Sequence, residues 1–465
     1  PIQGDGQDIY LSSAQMRRVF DGDIVLVRIA GWDRRGRPDG SLVDVVERKT
    51  TQLVGRYFRE SGISFVRPDN PRISQDILIP GDKSLNADPG QIVVVNIVEP
   101  PSRNSLPVGH IGEVLGEHLD PGLEIDMSIR NYGIPYLWSD ELLAETAAIP
   151  DEVQDKELRV DLRNTPLITI DGEDARDFDD AVYCQPKARG GWTLIVAIAD
   201  VSHYVQPDTI LDTEAFSRAT SVYLVDRVVP MLPEILSNGA CSLRPDEEKL
   251  TFSAVFELNN KAKIIKRWFG RTVTYSDKRF AYEEAQAIIE TQKNHIPSNV
   301  SITGEAYDVK EEISDAILKL NELSKILREN RMKNGAISFD RVEVKFNLDK
   351  DANPVGVYFK EAKDANKLIE EFMLLANRKV AEFIGKYNNQ PSNKTFIYRV
   401  HDEPDIEKLA TLQNIVYNFG YKMDTQTRES TTQSLNKLLK DVHGKAEANM
   451  IETLAIRSMS KAVYT

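Results

Sequence analysis

Thr169-Ile170-Asp171-Gly172-Glu173-Asp174-Ala175-Arg176-Asp177-Phe178-Asp179-Asp180-Ala181-Val182 is the stretch on which the reading of this chain turns. Six acidic residues lie between Ile170 and Ala181: Asp171, Glu173, Asp174, Asp177, Asp179 and Asp180. Apolar residues lead in (Leu167, Ile168, Ile170) and lead out (Ala181, Val182, Tyr183). Like charges at this density repel, and a fold that gathers them needs a positive counter-charge, for which divalent cations are the usual solution. Composition alone leaves three readings open: a solvated turn, a structural cation and a catalytic metal site. An EF-hand loop needs Gly at its sixth position and Glu at its twelfth, whereas Gly172 comes second here. If the loop folds back on itself, Asp171, Asp177, Asp179 and Asp180 converge and can hold two Mg²⁺ ions about 3.5–4 Å apart. The donors are hard oxygens, and the loop has no histidine or cysteine, which argues against zinc.

With 465 residues, two to four domains are expected. Two cysteines, Cys184 and Cys241, imply no disulfide framework and fit a reducing compartment. No apolar run is long enough to span a bilayer and the first residues carry no signal-peptide pattern, so a cytoplasmic setting is the expectation. The net charge of −14 argues against a generally basic nucleic-acid binder, yet residues 1–110 carry equal numbers of the two signs. Clustered arginines there (Arg34, Arg35, Arg37) can still meet phosphates.

The front of the chain repeats itself. Gln7-Asp8-Ile9-Tyr10 and Asp21-Gly22-Asp23-Ile24-Val25 return 68 positions later as Gln75-Asp76-Ile77-Leu78 and Pro89-Gly90-Gln91-Ile92-Val93. Short alternating strands with Gly, Pro and Asp at the turns suit small antiparallel barrels of the OB type. The expected layout is a partial first barrel over 1–51, a second over 52–116, a connector over 117–160 with one helix at Asp140–Ala148, and a mixed α+β domain over 161–465. The second barrel opens with Tyr57-Phe58-Arg59 and Phe65-Val66-Arg67, where Tyr57 and Phe65 are either a base-stacking platform or barrel core. The first repeat has no counterpart of this opening, as if the chain started partway into the unit.

In the last domain, Thr193 to Ala199 reads as a buried strand and Leu250 to Leu258 as another. Val309, Ile313, Ala316, Ile317, Leu320, Leu323 and Leu327 recur at helical spacing up to Asn334-Gly335. Leu368, Ile369, Phe372, Leu375, Ala376, Val380 and Phe383 mark a second long helix.

I-D-G-E-D-A-R-D-F-D-D-A resembles the signature of the ribonuclease II and ribonuclease R family, and is closer to the ribonuclease R branch. Other matching segments are I-A-D-V-S-H-Y-V (198–205), V-P-M-L-P (229–233), C-S-L (241–243), G-A-I-S-F (335–339) and L-I-E-E-F-M-L-L-A-N (368–377). The resemblance covers nearly the whole chain, and the front barrels are similar to that family's cold-shock domains. It implies a processive 3′→5′ exoribonuclease acting on single-stranded RNA and releasing nucleoside 5′-monophosphates. It also implies two Mg²⁺ ions and a monomer with no membrane attachment. Asp171 and Asp180 would be the principal metal ligands, Asp177 would assist, and Asp179 would matter most for the chemical step. Tyr223 would clamp RNA, Tyr282 would contact the terminal sugar, Phe339 would stack on the last base, and Glu371 or its neighbour Glu370 would read the ribose. Taken singly, each aromatic is as readily a core residue.

The family's later motif with paired arginines and its C-terminal RNA-binding domain have no counterpart before Thr465, so weakened cleavage is one expectation. A non-catalytic RNA-binding protein is the rival reading. A two-metal DNase is a further one, disfavoured by the ribose-reading positions. The six histidines (His110, His118, His203, His295, His401 and His443) show no metal-ligand spacing.

Overall fold

The computed structural model describes residues 8–465 except 33–35, 118–119, 151–152, 340–341, 388–389 and 392–393. Gln7, Arg34, Arg35 and His118 of the sequence reading lie outside the described residues. The chain forms two compact units: 1–137 with 218–231 and 345–358, and 138–217 with 232–344 and 359–465. This partition departs from the linear layout expected from sequence, because two segments of the expected 161–465 domain group with the first unit. Within the first unit the Arg218 guanidinium donates to the carbonyls of Pro135 and Leu137, both at 2.6 Å, and Arg227 pairs with Asp126 at 3.1 Å.

The first unit begins with β1 (Tyr10–Leu11), α1 (Ser13–Met16), β2 (Ile24–Trp32) and β3 (Pro38–Glu47), a sheet of order β1-β3-β2. β4 (Gln52–Glu60), β5 (Ile63–Pro68), β6 (Ile77–Leu78), β7 (Ile92–Glu99) and β8 (Val108–Gly116) then close a barrel. The repeat read from sequence is also a repeat of pairing. β1 runs parallel to β3 as β6 does to β8, and β2 pairs antiparallel with β3 as β7 does with β8. It extends to close packing at two glycines. A Cβ on Gly40 would meet Ile9 and Val27 at 2.5 Å, and one on Gly109 would meet Val95 at 2.5 Å and Ile77 at 3.3 Å. Ile9 and Val27 precede Ile77 and Val95 by the same 68 positions.

Ile92 to Val95 is apolar throughout because both of its faces are covered. Val93 and Val95 point into the barrel core with Leu53, Tyr57, Val66 and Ile77, while Ile92 and Val94 pack with Val54 and Leu123. Leu123 belongs to α2 (Leu123–Asn131), which starts at Gly122 in a left-handed conformation (φ 78°). The connector therefore holds two helices, α2 and α3 (Asp140–Ala147), where the sequence reading expected one. α2 is short, with its apolar residues set by the strands it covers, so its periodicity alone was weak.

The second unit carries β9 (Val160–Asp161), β10 (Leu167–Asp171), β11 (Asp180–Pro186) and β12 (Trp192–Ala199), followed by α4 (Val201–Tyr204) and α5 (Ile210–Arg218). A small hairpin of the first unit, β13 (Val222–Tyr223) and β14 (Val228–Val229), precedes β15 (Glu248–Leu258) and β16 (Ile264–Ala281). The order β10-β11-β12-β15-β16-β9 is antiparallel except where β9 and β10 run parallel to β16, and the β10–β16 pairing closes five strands into a ring. α7 (Glu311–Lys333) and α8 (Asp364–Gly385) follow the spacing read from sequence, α6 (Tyr282–Thr291) is a helix that reading did not include, and Gly335 ends the α7 segment with φ 92°. They bury Ile288, Ile317, Leu320, Leu368 and Phe372 against Ile168, Val182, Val196 and Phe256. Each such side chain contributes about 1.5–3 kcal/mol by leaving water. α9 (Ile406–Asn418), α10 (Arg428–Val442) and α11 (Ala448–Ser458) form a further apolar cluster. Among the described residues no helix is long and apolar enough to cross a membrane.

Candidate active site

The acidic stretch is the connection of the β10–β11 hairpin. Asp171 is the last residue of β10 and Asp180 the first of β11, so neighbouring strands deliver both to one end of the ring. Asp180 pairs with Ile198 of β12, which pairs with Phe252 of β15. These three share the face that carries Val182 and Val196, at the rim where the apolar cover ends, since Ile198 and Phe252 are partly open. Burial is accordingly the first cause that pushes the Asp180 carboxyl up to about 7, followed by Asp171 and Asp179. Asp180 Oδ2 is buried with no hydrogen-bond partner. Asp179 has ample accessible surface, yet protein crowds its carboxyl, and its pKa rises to about 6 through burial, then Asp177 and Asp171. Burial also raises Asp171. The Gly172 N–H bond (2.7 Å) and Arg279 act in the opposite sense.

The structure thus gathers Asp171, Asp177, Asp179 and Asp180 into one mutually repelling group. The donors suit a hard divalent cation, and a buried oxygen without a partner is what such an ion would satisfy. Among the described residues, however, no three acidic, histidine or cysteine side chains stand close enough to grip one ion as placed.

Tyr282 opens α6 beside this group. Burial raises its hydroxyl pKa first, and then the nearby charges of Asp171 and Asp180. Its place is fixed by Glu284, a fully buried carboxylate that accepts from Ala281 N (2.9 Å), Ile302 N (3.1 Å) and Tyr307 Oη (3.0 Å). A cavity of about 1120 Å³ runs from Ile198 and Phe252 along α8. Lys261, Lys263, Arg378, Lys379 and Arg399 line it, with Phe269, Phe396 and Tyr398.

The other sequence-read positions fare differently. Tyr223 is 67 % exposed on the β13–β14 hairpin of the first unit. Phe339 is half-buried against the cluster of α9–α11. Glu371 is 3 % exposed and takes the Arg331 guanidinium at 3.1 and 3.2 Å, tying α8 to α7. Of the two adjacent acids, the exposed one is Glu370, also held by Arg331 at 2.9 Å. Glu371 is thus held in an interhelical ion pair, and with Arg331 it also lines the cavity along α8.

For Tyr57, of the two readings left open the barrel core holds, and its place as an RNA-stacking residue is corrected. It is 2 % exposed in the barrel core, its hydroxyl bonded to Ser64 Oγ at 2.9 Å. Hairpin register decides this, because Phe58 faces Phe65 while Tyr57 faces Val66. The outer pair is Phe58 and Phe65, stacked at 5.4 Å with Arg67 above both rings. Sequence reasoning also missed Ser242 and Arg279, which hold the loop backbone. Ser242 sits inside the C-S-L segment, whereas nothing local marks Arg279.

An RNB domain family model matches residues 159–465, a cold shock domain model 65–139 and a Ribonuclease B OB domain model 2–45. Ribonuclease R of Escherichia coli (strain K12) is 39 % identical over 468 residues, covering 100 % of this chain and 55 % of that protein. Ribonuclease R of Vibrio cholerae serotype O1 is 40 % identical over 462 residues, covering 98 % and 54 %. The chain spans about half the length of these curated relatives. Mycoplasma genitalium RNase R in complex with ribose methylated single-stranded RNA shares the fold, with a TM-score of 0.88, 24 % identity, and coverage of 98 % of this chain and 70 % of that one. A three-stranded sheet and a closed barrel, matched by the OB and cold-shock models, ahead of an acidic hairpin on a closed mixed sheet thus coincide with matched sequence over the full length, and the chain belongs to the RNB family of ribonucleases.

Proposed function

We propose that this chain hydrolyses single-stranded RNA processively from its 3′ end, releasing nucleoside 5′-monophosphates with two Mg²⁺ ions. The observation that carries the reading is the convergence of Asp171, Asp179 and Asp180 at one hairpin, desolvated, with an Asp180 oxygen lacking any partner. Asp171, Asp177, Asp179 and Asp180 would hold the cations. When bound, these supply Lewis-acid polarisation of the phosphodiester and an activated water. Asp179, the most open of the raised carboxyls, is the group to take up the water proton. Tyr282 keeps its proton at neutral pH and so donates a hydrogen bond to the sugar or phosphate oxygens. The basic and aromatic groove along α8 suits a single strand, with phosphates on Lys261, Lys263 and Arg399 and bases against Phe252 or Phe396. Tyr223, Phe339, Glu371 or its neighbour Glu370, and the Phe58–Phe65 pair are further RNA contacts in this reading.

A second reading, RNA binding with impaired cleavage, draws on the spacing of the carboxylates, no three of which stand close enough together to grip an ion. One experiment separates the two. Poly(A) and a matched DNA oligomer are incubated with the chain and Mg²⁺, and released mononucleotides are counted. Release from RNA only, abolished in Asp179→Asn while RNA binding persists, is the expected result. RNA binding with no release in the wild type would favour the second reading, and equal digestion of DNA would remove the ribonuclease assignment.

A further inference from the structure

The turn between Asp171 and Asp179 carries side chains that repel one another, and within it Ala175 N donates to Gly172 O (3.2 Å) and Gly172 N to Asp171 Oδ1 (2.7 Å). Its backbone is also gripped from two other elements of the same unit. From β16, Arg279 Nη2 donates to the carbonyls of Gly172 (3.1 Å), Glu173 (2.6 Å) and Ala175 (3.4 Å). The same guanidinium lies over the Phe178 ring, 4.9 Å from its centre. Arg279 reaches the loop because β16 runs parallel to β10, with Arg279 beside Thr169 and Ala281 beside Asp171. Its Nε is buried with no partner, a cost the fold sustains at this position. From the segment before β15, fully buried Ser242 accepts from Phe178 N (3.0 Å) and donates to Arg176 O (2.7 Å), and Leu243 N donates to Phe178 O (2.8 Å).

We propose that Arg279 and Ser242 are positioning residues: a two-point clamp that sets the loop backbone so its carboxylates can share a divalent cation. Arg279 holds the first half and offsets the carboxylate charge, while Ser242 pins the second half immediately before Asp179. The inference rests on the metal-dependent reading above. Ordering ligands from behind is worth about 10- to 100-fold in metal affinity where it has been dissected.

The test uses Mn²⁺ as the probe, titrated by electron paramagnetic resonance into the wild type, Ser242→Ala, Arg279→Lys and Arg279→Met. Thermal midpoints and the hydrolysis of an oligoribonucleotide, with KM and kcat resolved, are measured alongside. Ser242→Ala removes a single oxygen, a smaller change than Arg279→Met, so it keeps the test valid if Arg279→Met unfolds. Expected are a Mn²⁺ affinity weakened about tenfold in Ser242→Ala, a kcat lowered with KM unchanged, and an Arg279→Lys closer to wild type than Arg279→Met. Mn²⁺ affinity within twofold of wild type in both Ser242→Ala and Arg279→Lys overturns the clamp. So does a wild type that binds no Mn²⁺. A wild type that binds Mn²⁺ but releases no nucleotide defeats the ribonuclease reading alone, and the clamp is then decided by the titrations.

Discussion

At the scale of single residues, the acidic group stores repulsion that protons or cations can relieve. Asp179 and Asp180 have folded pKa values near 6 and near 7, above the ordinary carboxylate value of 3.8. The folded state therefore binds more protons than the unfolded chain across that interval. Stability contributed by these groups is present at low pH and falls as pH rises from about 4 to about 7. With a chelator present, the thermal midpoint of the wild type should drop more between pH 5 and pH 7.5 than that of Asp180→Asn. Identical slopes would show that the carboxyl titrates normally. Cations compete with those protons, so Mn²⁺ should bind more weakly at pH 5.5 than at pH 7.5. The Arg159–Asp200 pair is another residue-scale commitment. Both side chains are 2 % exposed and 2.8 Å apart, an ion pair by distance, and Asp200 lies at the end of the strand that receives the Asp179 carbonyl. Arg159→Met would strand the carboxylate and should cost roughly 3–5 kcal/mol in denaturant unfolding, unless Arg271 at 3.5 Å takes over.

At the scale of elements, the β4–β5 hairpin shows how register assigns roles. Ser61 and Gly62 both have positive φ (49° and 84°), which gives a tight two-residue turn and fixes Phe58 opposite Phe65. Period-two alternation sends Tyr57 to the other face, so Tyr57 and Phe65 could never have formed one platform. Gly55 lets the same pair of strands approach: a Cβ there would stand 2.3 Å from the Arg67 carbonyl oxygen and 2.6 Å from Val66. Backbone cannot yield as a side-chain tip can. Gly55→Ala should therefore destabilise the barrel by about 1–3 kcal/mol or more, read as a lowered midpoint in urea. A neutral effect would mean that β4 and β5 separate readily. The long helices α7 and α8 were legible because their apolar spacing repeats over five or six turns. α2 was not, because nine residues give too few repeats to stand out.

At the scale of the molecule, two kinds of information separate. Local pattern carried the hairpin of aspartates, the 68-residue repeat and the α+β character of the later half, since each depends on neighbours in sequence or on a fixed offset. Family membership was legible for the same reason. Long-range pairing carried the rest. The parallel contact of β10 with β16 joins residues more than a hundred positions apart, and only that contact brings Arg279 under the acidic turn and Tyr282 beside it. The inward turn of Glu371, the grouping of 218–231 with the barrels and the burial that raises Asp180 arise in the same way. The sequence by itself determined which charges would crowd one bend. Tertiary structure decided how far they are desolvated and what restrains them, because burial and backbone restraint depend on surfaces that meet only once the chain has closed.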